Sequence, residues 1–364
     1  MQPKLYIGIM SGTSLDGIDL VLVSFNSPKL SLLCSKLVPF PASLQGELRL
    51  LAEPGNNEVE RIGPVENQLA ECYAIGVQQL LKQANYQPEQ ISAIGCHGQT
   101  IRHRPSQPQP FTVQLGNMHL LAALTGIRVI ADFRRKDMAY GGQGAPLVPA
   151  FHQAVFAKLG QNRAVVNIGG IANISLLNAD GTTTGYDTGP GNCLMDDWVS
   201  LHRQLPFDKD GAFSAEGKLL PDLLQHLLED NYFQQSAPKS TGREYFHLGW
   251  LQQRLSGQEA AADVQRTLCR FTATSIAKAL QRPNLTEVYI CGGGVYHPLL
   301  MADLQQLLGP ATVQSSSVAG IEPDWVEAIA FAWLAQAFDR QLPGNVPAVT
   351  GARKACVLGV EYRP

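Results

Sequence analysis

Residues Ile7 to Asp19 read Ile-Gly-Ile-Met-Ser-Gly-Thr-Ser-Leu-Asp-Gly-Ile-Asp. The run from Leu5 to Met10 is apolar and strand-like, the chain breaks at Ser11-Gly12-Thr13-Ser14, and a second strand resumes from Ile18 to Phe25. A tight turn rich in Gly, Ser and Thr presents backbone N–H groups and hydroxyls to one point, a concavity that suits phosphate oxygens. Asp16 and Asp19 add carboxylates, which repel a phosphate unless a cation such as Mg²⁺ lies between. The plainer alternative is a hairpin turn with solvated Asp residues.

Outward from this hairpin, strand-like and helix-like segments alternate, which argues for an α/β fold. Val65, Leu69, Cys72, Ile75 and Leu80 recur near helical spacing and predict a helix over roughly 64–83. A buried-type strand, Ile91 to Cys96, then exits at His97-Gly98-Gln99-Thr100. A short helix near 117–125, a strand from Ile127 to Ala131, the basic run Arg134-Arg135-Lys136 and a helix through 147–159 follow. The pattern then restarts. Residues 164–177 are again strand, Gly turn (Gly169-Gly170) and strand, and Asn178-Ala179-Asp180-Gly181 is a strong hairpin signal. Long helices are expected at 259–280 and 323–338, with Glu287 to Cys291 between them as a strand leading into Gly292-Gly293-Gly294.

The two half-chains thus share one plan: a Gly-hinged hairpin, a helix, and a strand ending in a polar or Gly loop. Two such domains would face each other across a cleft, and ligands collect where strand ends meet. The expected division is residues 1–131 plus 342–364 for the first domain and 132–341 for the second. Leu342 to Pro347 reads as a linker, and the apolar tail from Ala355 to Val360 as a strand returning to the first domain.

A chain of 364 residues with 45% hydrophobic content supports two sizeable cores. A net charge of −3 without a basic stripe gives no electrostatic case for nucleic acid. The seven Cys form no Cys-x-x-Cys and read as reduced core residues of a cytoplasmic protein. No leader-like segment and no uninterrupted apolar run long enough for a membrane span are visible, so no membrane association is expected.

A Walker loop, a dinucleotide fingerprint and a Gly-x-Ser-x-Gly elbow are all absent. Phosphate binding must then fall to the turns at Gly12 and at Gly169-Gly170, where glycine lets backbone approach a phosphate. For the second turn a β-bulge is the alternative. Asp187, in Asp187-Thr188-Gly189-Pro190-Gly191-Asn192, is the best candidate general base. A strand delivers it to a constrained turn, and the helix from Cys193 to His202 would aim its N-terminal amides back there. A helix N-cap or turn Asp is the structural alternative. Gly292, Gly293 and Gly294 offer a flat surface for a nucleobase, or simply a flexible loop. Arg134 would hold an anionic substrate group, unless its run is a solvated loop. His97 sits at a strand exit, where functional residues gather, a hydrogen-bonded structural His being the alternative. Glu327 is on the expected buried face of its helix, where an unpartnered carboxylate is costly, so it is expected to face the cleft, with an exposed helical Glu as the alternative.

Together these runs resemble the anhydro-N-acetylmuramic acid kinase family. The match is carried by Ile9 to Asp19, Cys96 to Thr100, Gly142 to Pro149, Asn167 to Asn173, Asp187 to Asn192 and Glu327 to Ala332, in that order. It runs from residue 5 to about 360, and 203–260 carries least of it. The resemblance implies two ribonuclease-H-like domains of the sugar kinase, heat-shock chaperone and actin superfamily (actin-like ATPase domains), with an ATP and substrate cleft between them. It implies ATP and Mg²⁺ as cofactors, and 1,6-anhydro-N-acetylmuramic acid as a small-molecule sugar substrate in cell-wall peptidoglycan recycling. The products it implies are N-acetylmuramic acid 6-phosphate and ADP. ATP binding is expected on Gly12, Thr13, Ser14, Leu15, Asp16, Gly17, Ile18 and Asp19, with Gly169, Gly170 and Gly292 to Gly294. Asp16 and Asp19 are the expected Mg²⁺ ligands, Asp187 the base, and His97, Arg134 and Glu327 the sugar contacts. A homodimer is the family expectation. An ordinary sugar kinase acting on a free hydroxyl, and an ATP-driven conformational machine, are the competing readings.

Overall fold

The computed structural model describes residues 4–26, 29–237 and 239–364. The chain divides into two compact units, one reaching to Phe151 and resuming at Trp325–Pro364, the other His152–Asp324.

In the first unit, β1 (Leu5–Ser11), β2 (Ile18–Asn26) and β3 (Lys29–Val38) form an antiparallel meander. β1 is buried throughout because a parallel neighbour, β4 (Ile91–Arg104), covers its other edge. With β5 (Phe111–Leu115), β6 (Val129–Ala131) and β12 (Val360–Tyr362) the sheet has seven strands in the order β12-β6-β4-β1-β2-β3, β5 pairing with β4. The helix Glu58–Ala84 buries Val65, Leu69, Tyr73, Val77 and Leu80 in this core. It begins a turn and a half earlier than its apolar spacing predicts, and Pro64 is accommodated near its start.

The second unit repeats the plan. β7 (Asn162–Ile168), β8 (Ile171–Leu177) and β9 (Thr183–Pro190) are the meander, and β10 (Leu285–Cys291) and β11 (Thr312–Ser315) add in parallel. The order β11-β10-β7-β8-β9 matches β6-β4-β1-β2-β3 strand for strand. Both units therefore have the mixed α/β sheet of an actin-like ATPase domain. The helix Ala261–Ala279 supplies Leu268, Phe271 and Ile276 to the second core.

Four expectations change. β4 does not stop at Cys96 but runs on through His97 to Arg104, because β5 pairs with its second half; Gly98, at φ +76, bends it there. The helix Val326–Asp339 lies in the first unit, as do residues 132–151, whereas the sequence reading assigned both stretches to the second domain. A pair of glycines seats the helix. Gly8 and Gly95 stand side by side in β1 and β4, and a Cβ on either would lie 1.9 or 2.0 Å from the carbonyl oxygens of Ala328 or Phe331. Only bare backbone lets the helix ride this close to the sheet. The stretch after the helix is then no linker between units: Gly344 N–H donates to the Cys356 carbonyl, and Asn345 is buried. The returning strand is Val360–Tyr362, antiparallel to β6, a few residues later than expected.

Candidate active site

The β1–β2 turn is shaped by side chains that pull its carbonyls back. Gln99 Nε2 donates to the Gly12 carbonyl at 3.1 Å, and Gln45 Nε2 to the Leu15 carbonyl at 2.8 Å. Leu15 N–H closes the turn on Gly12 O, and the buried Leu15 side chain anchors it. The left-handed residue is Leu15, at φ 59, not Gly12. Gly12 is half-buried with Thr13, Ser14 and Asp16 exposed, while Gly17 and Ile18 are buried, Ile18 already in β2. The Thr13 and Ser14 amides donate to no backbone carbonyl among the described residues. With the Gly12 and Leu15 carbonyls already engaged, the Thr13 and Ser14 N–H groups and hydroxyls are donors the turn offers a ligand, the polarity a phosphate needs. Asp16 and half-buried Asp19 add two carboxylates. Among the described residues no three His, Cys, Asp or Glu gather as a metal cage. Two carboxylates are nonetheless the donor set that suits Mg²⁺, which takes one or two and fills its shell with water and substrate phosphates.

Also in the first unit, His97, Arg134 and Glu327 come together, as the sequence analysis expects. His97 is buried, its ring 4.8 Å from that of Phe331. Its Nε2 receives Arg134 at 3.1 Å from Nε and 2.8 Å from Nη2. An Nε2 that accepts places the ring proton on Nδ1 and makes the imidazole neutral. Burial, then the Arg134 charge, holds the His97 pKa well below its ordinary value. Arg134 Nη1 donates to the Gly144 carbonyl at 2.8 Å, and Gly144 N–H in turn donates to the fully buried Asp137. Asn345 and Thr350 also donate to Asp137, so this carboxylate, which the sequence reading passed over, ties the Gly141–Pro146 loop to the C-terminal segment. Arg134 keeps N–H donors on its terminal nitrogens beyond these bonds. Arg135 and Lys136 are exposed, so the basic run contributes one inward charge.

Glu327 stands in the first turn of its helix and reaches solvent, although its neighbours on that helix are buried. The protein mass around it desolvates the carboxyl and raises its pKa, and the Arg134 charge opposes that. Burial pulls Arg134 down to about 10 while Glu327 pulls it up. The cluster is thus a compensated set.

In the second unit β9 carries Asp187, paired across the sheet with Asn173 at a register shift. Its backbone N–H donates to the Lys239 carbonyl at 3.2 Å, and Tyr232 Oη donates to its carbonyl at 2.6 Å. One carboxylate oxygen receives Thr241 N–H at 3.1 Å. It forms no ion pair among the described residues, and burial pushes its pKa up to about 6 against the Thr241 bond. This is a general base's environment: directed, partly dry and poised near neutrality.

The helix Cys193–Arg203 does follow, but its leading amides turn elsewhere. Gly191 and Cys193 N–H donate to the Gly170 carbonyl, and Asn192 N–H to that of Gly169. They therefore position the β7–β8 turn rather than Asp187. The Gly169 and Gly170 amides donate to no backbone carbonyl among the described residues. Nearby, a cavity of about 500 Å³ is lined by Asn192, Asp196, Phe207, Gly293 and Tyr296, among others. Of the three glycines after β10, only Gly293 faces it. A Cβ at Gly292 or Gly294 would strike Asn167 or Ile168 at 2.5 or 2.4 Å, so those two serve close packing. Phe207 and Tyr296, both exposed, flank the cavity; nothing in their sequence surroundings marks them.

No helix among the described residues is long and apolar enough to cross a membrane, and all seven cysteines are free. A family model described as Anhydro-N-acetylmuramic acid kinase matches residues 4–364. An anhydro-N-acetylmuramic acid kinase of Pseudomonas paraeruginosa is 50% identical over 361 residues, 98% of either chain. Those of Shewanella pealeana and of Neisseria meningitidis serogroup C are each 48% identical over 366 residues. They cover all of this chain and 99% and 100% of the relatives.

Proposed function

The chain belongs to the anhydro-N-acetylmuramic acid kinase family, and on that premise we propose that Asp187 is the base that activates water for opening of the sugar's 1,6-anhydro ring. The protein is a kinase that uses ATP to phosphorylate 1,6-anhydro-N-acetylmuramic acid, giving N-acetylmuramic acid 6-phosphate and ADP in peptidoglycan recycling. Its substrate has no free 6-hydroxyl, because O6 is tied to C1. Water must attack C1, the C1–O6 bond breaks, and O6 takes the γ-phosphoryl group as the bond to the ADP oxygen breaks. The water proton goes to Asp187.

The observation that carries the base assignment is the state of Asp187: held by Thr241 N–H, without a counter-ion among the described residues, its pKa raised to about 6. Such a carboxylate is ionised at pH 7 and still takes up a proton readily. The turns at Gly12–Asp19 and at Gly169-Gly170 each offer amides suited to phosphate oxygens, and the nucleobase of ATP lies in the second unit's cavity between Phe207 and Tyr296, against Gly293. Asn192 lines that cavity and also donates to Gly169, so one residue joins nucleobase site and phosphate turn. Asp16 and Asp19 would hold Mg²⁺, which supplies charge neutralisation to the phosphates. Arg134 takes the lactyl carboxylate through its remaining N–H pair, and neutral His97 and Glu327 complete the sugar contacts. Free thiols and use of ATP fit a cytoplasmic enzyme, and a homodimer fits the family.

The test is ATP turnover with 1,6-anhydro-N-acetylmuramic acid, N-acetylmuramic acid and N-acetylglucosamine, run in ¹⁸O-labelled water. Turnover of the anhydro sugar alone is expected, with one solvent oxygen at C1 in product trapped before anomeric exchange. Comparable turnover of the free sugars would point to ordinary hydroxyl phosphorylation, and unlabelled C1 would refute water attack.

A further inference from the structure

A guanidinium packs on the β7–β8 turn. Arg243 is exposed, yet its guanidinium packs directly on Gly170: a Cβ there would meet Nε at 2.7 Å and Nη2 at 2.9 Å. The site is open to a guanidinium only because residue 170 is glycine. Arg243 makes no hydrogen bond or ion pair among the described residues; Asp196 and Cys193 feel its charge without pairing with it.

The amides at the start of helix Cys193–Arg203 would be the usual anion donors here, but those of Gly191, Asn192 and Cys193 are already given to the Gly169 and Gly170 carbonyls. What remains for a phosphate is the two glycine amides and the side chain of Arg243. The same short segment serves Asp187: Lys239 O accepts its N–H and Thr241 N–H holds its carboxylate, two residues before Arg243. The segment therefore carries both the guanidinium that packs on Gly170 and the amide that holds the proposed base.

We propose that Arg243 is a catalytic residue that binds the terminal phosphoryl group of the nucleotide and stabilises the charge developing on it during transfer. This rests on the reading of Gly169-Gly170 as a phosphate turn. A planar guanidinium is suited to two phosphoryl oxygens at once, and preorganised donors aimed at developing charge commonly contribute about 10²- to 10³-fold in rate.

The experiment compares Arg243→Gln, Arg243→Lys and Gly169→Val with wild type, measuring kcat, both KM values, and calorimetric affinity for ADP and a non-hydrolysable ATP analogue. Arg243→Gln should lose about 10²-fold or more in kcat, bind the ATP analogue more weakly, and keep ADP affinity, sugar KM and melting temperature near wild type. Arg243→Lys should recover part of the loss. A kcat within threefold of wild type, or a defect confined to sugar KM or to thermal stability, overturns the proposal. Gly169→Val separates the two layers, since a Cβ there meets nothing closer than Ile171 O at 3.7 Å. If it weakens nucleotide binding while Arg243→Gln is normal, the Arg243 role alone is wrong. If neither variant alters nucleotide use, the phosphate-turn reading falls and the proposal with it.

Discussion

The two sheets run in the same order, yet their strand ends carry opposite electrostatic arrangements. In the first unit Arg134 bonds to His97 and Gly144 and feels Glu327, so each charge or dipole has a counterpart. In the second, Asp187 keeps one backbone N–H and, among the described residues, no cation. The contrast teaches that a shared backbone plan leaves the role of a position to local compensation. A balanced cluster can receive a ligand's polar groups with little rearrangement. An unbalanced carboxylate in a drying environment instead gains proton affinity.

The sharpest way to break this contrast is Asp187→Asn. The amide keeps size and can still accept from Thr241, but it cannot take a proton. The account expects kcat to fall by about 10²- to 10⁴-fold with ATP-analogue affinity unchanged by calorimetry. A drop below threefold would mean that the lone carboxylate is not the base. Arg134→Ala should act differently, raising sugar KM by about 10- to 100-fold, the scale of one lost charged hydrogen-bond pair of about 1.5–3 kcal/mol. Arg134→Lys should rescue only part, since an ammonium cannot form the fork. Initial-rate kinetics that placed the Arg134 loss wholly in kcat would erase the distinction between the units.

A smaller effect sharpens the structural half of the comparison. Gly8→Ala puts a methyl group into the Ala328 carbonyl, and relief requires the helix Val326–Asp339 to lift. Overpacking of this kind costs about 1–3 kcal/mol, visible as a lower urea midpoint. An unchanged midpoint would show that the helix is not seated on bare backbone.

Much of this was legible in the sequence because it is local. Gly-hinged hairpins, the Asn178–Gly181 turn and the strand that delivers Asp187 are written in consecutive residues, and six motifs in order specify the family. What was hidden depends on partners far along the chain. The extension of β4 past His97 requires β5, and the placement of helix Val326–Asp339 requires Gly8 and Gly95 to fall side by side in a register that neither segment reveals. That helix is buried almost all round, so its periodicity could not say that Glu327 reaches solvent. Arg243 sits in a stretch without strong pattern, and only its contact with Gly170 marks it. Asp137 follows the basic run Arg134 to Lys136 without any local signal, and only its three donors mark it.

The most direct test of the central claim is the pH dependence of kcat/KM in wild type and in Asp187→Asn. Asp187 acts ionised, and its pKa is raised to about 6. Wild-type kcat/KM should therefore be level above that pH and fall tenfold per unit below it, as the base becomes protonated. The residual activity of Asp187→Asn should lack this acidic limb. A variant that keeps the same limb near pH 6 would assign it to another group and contradict the account.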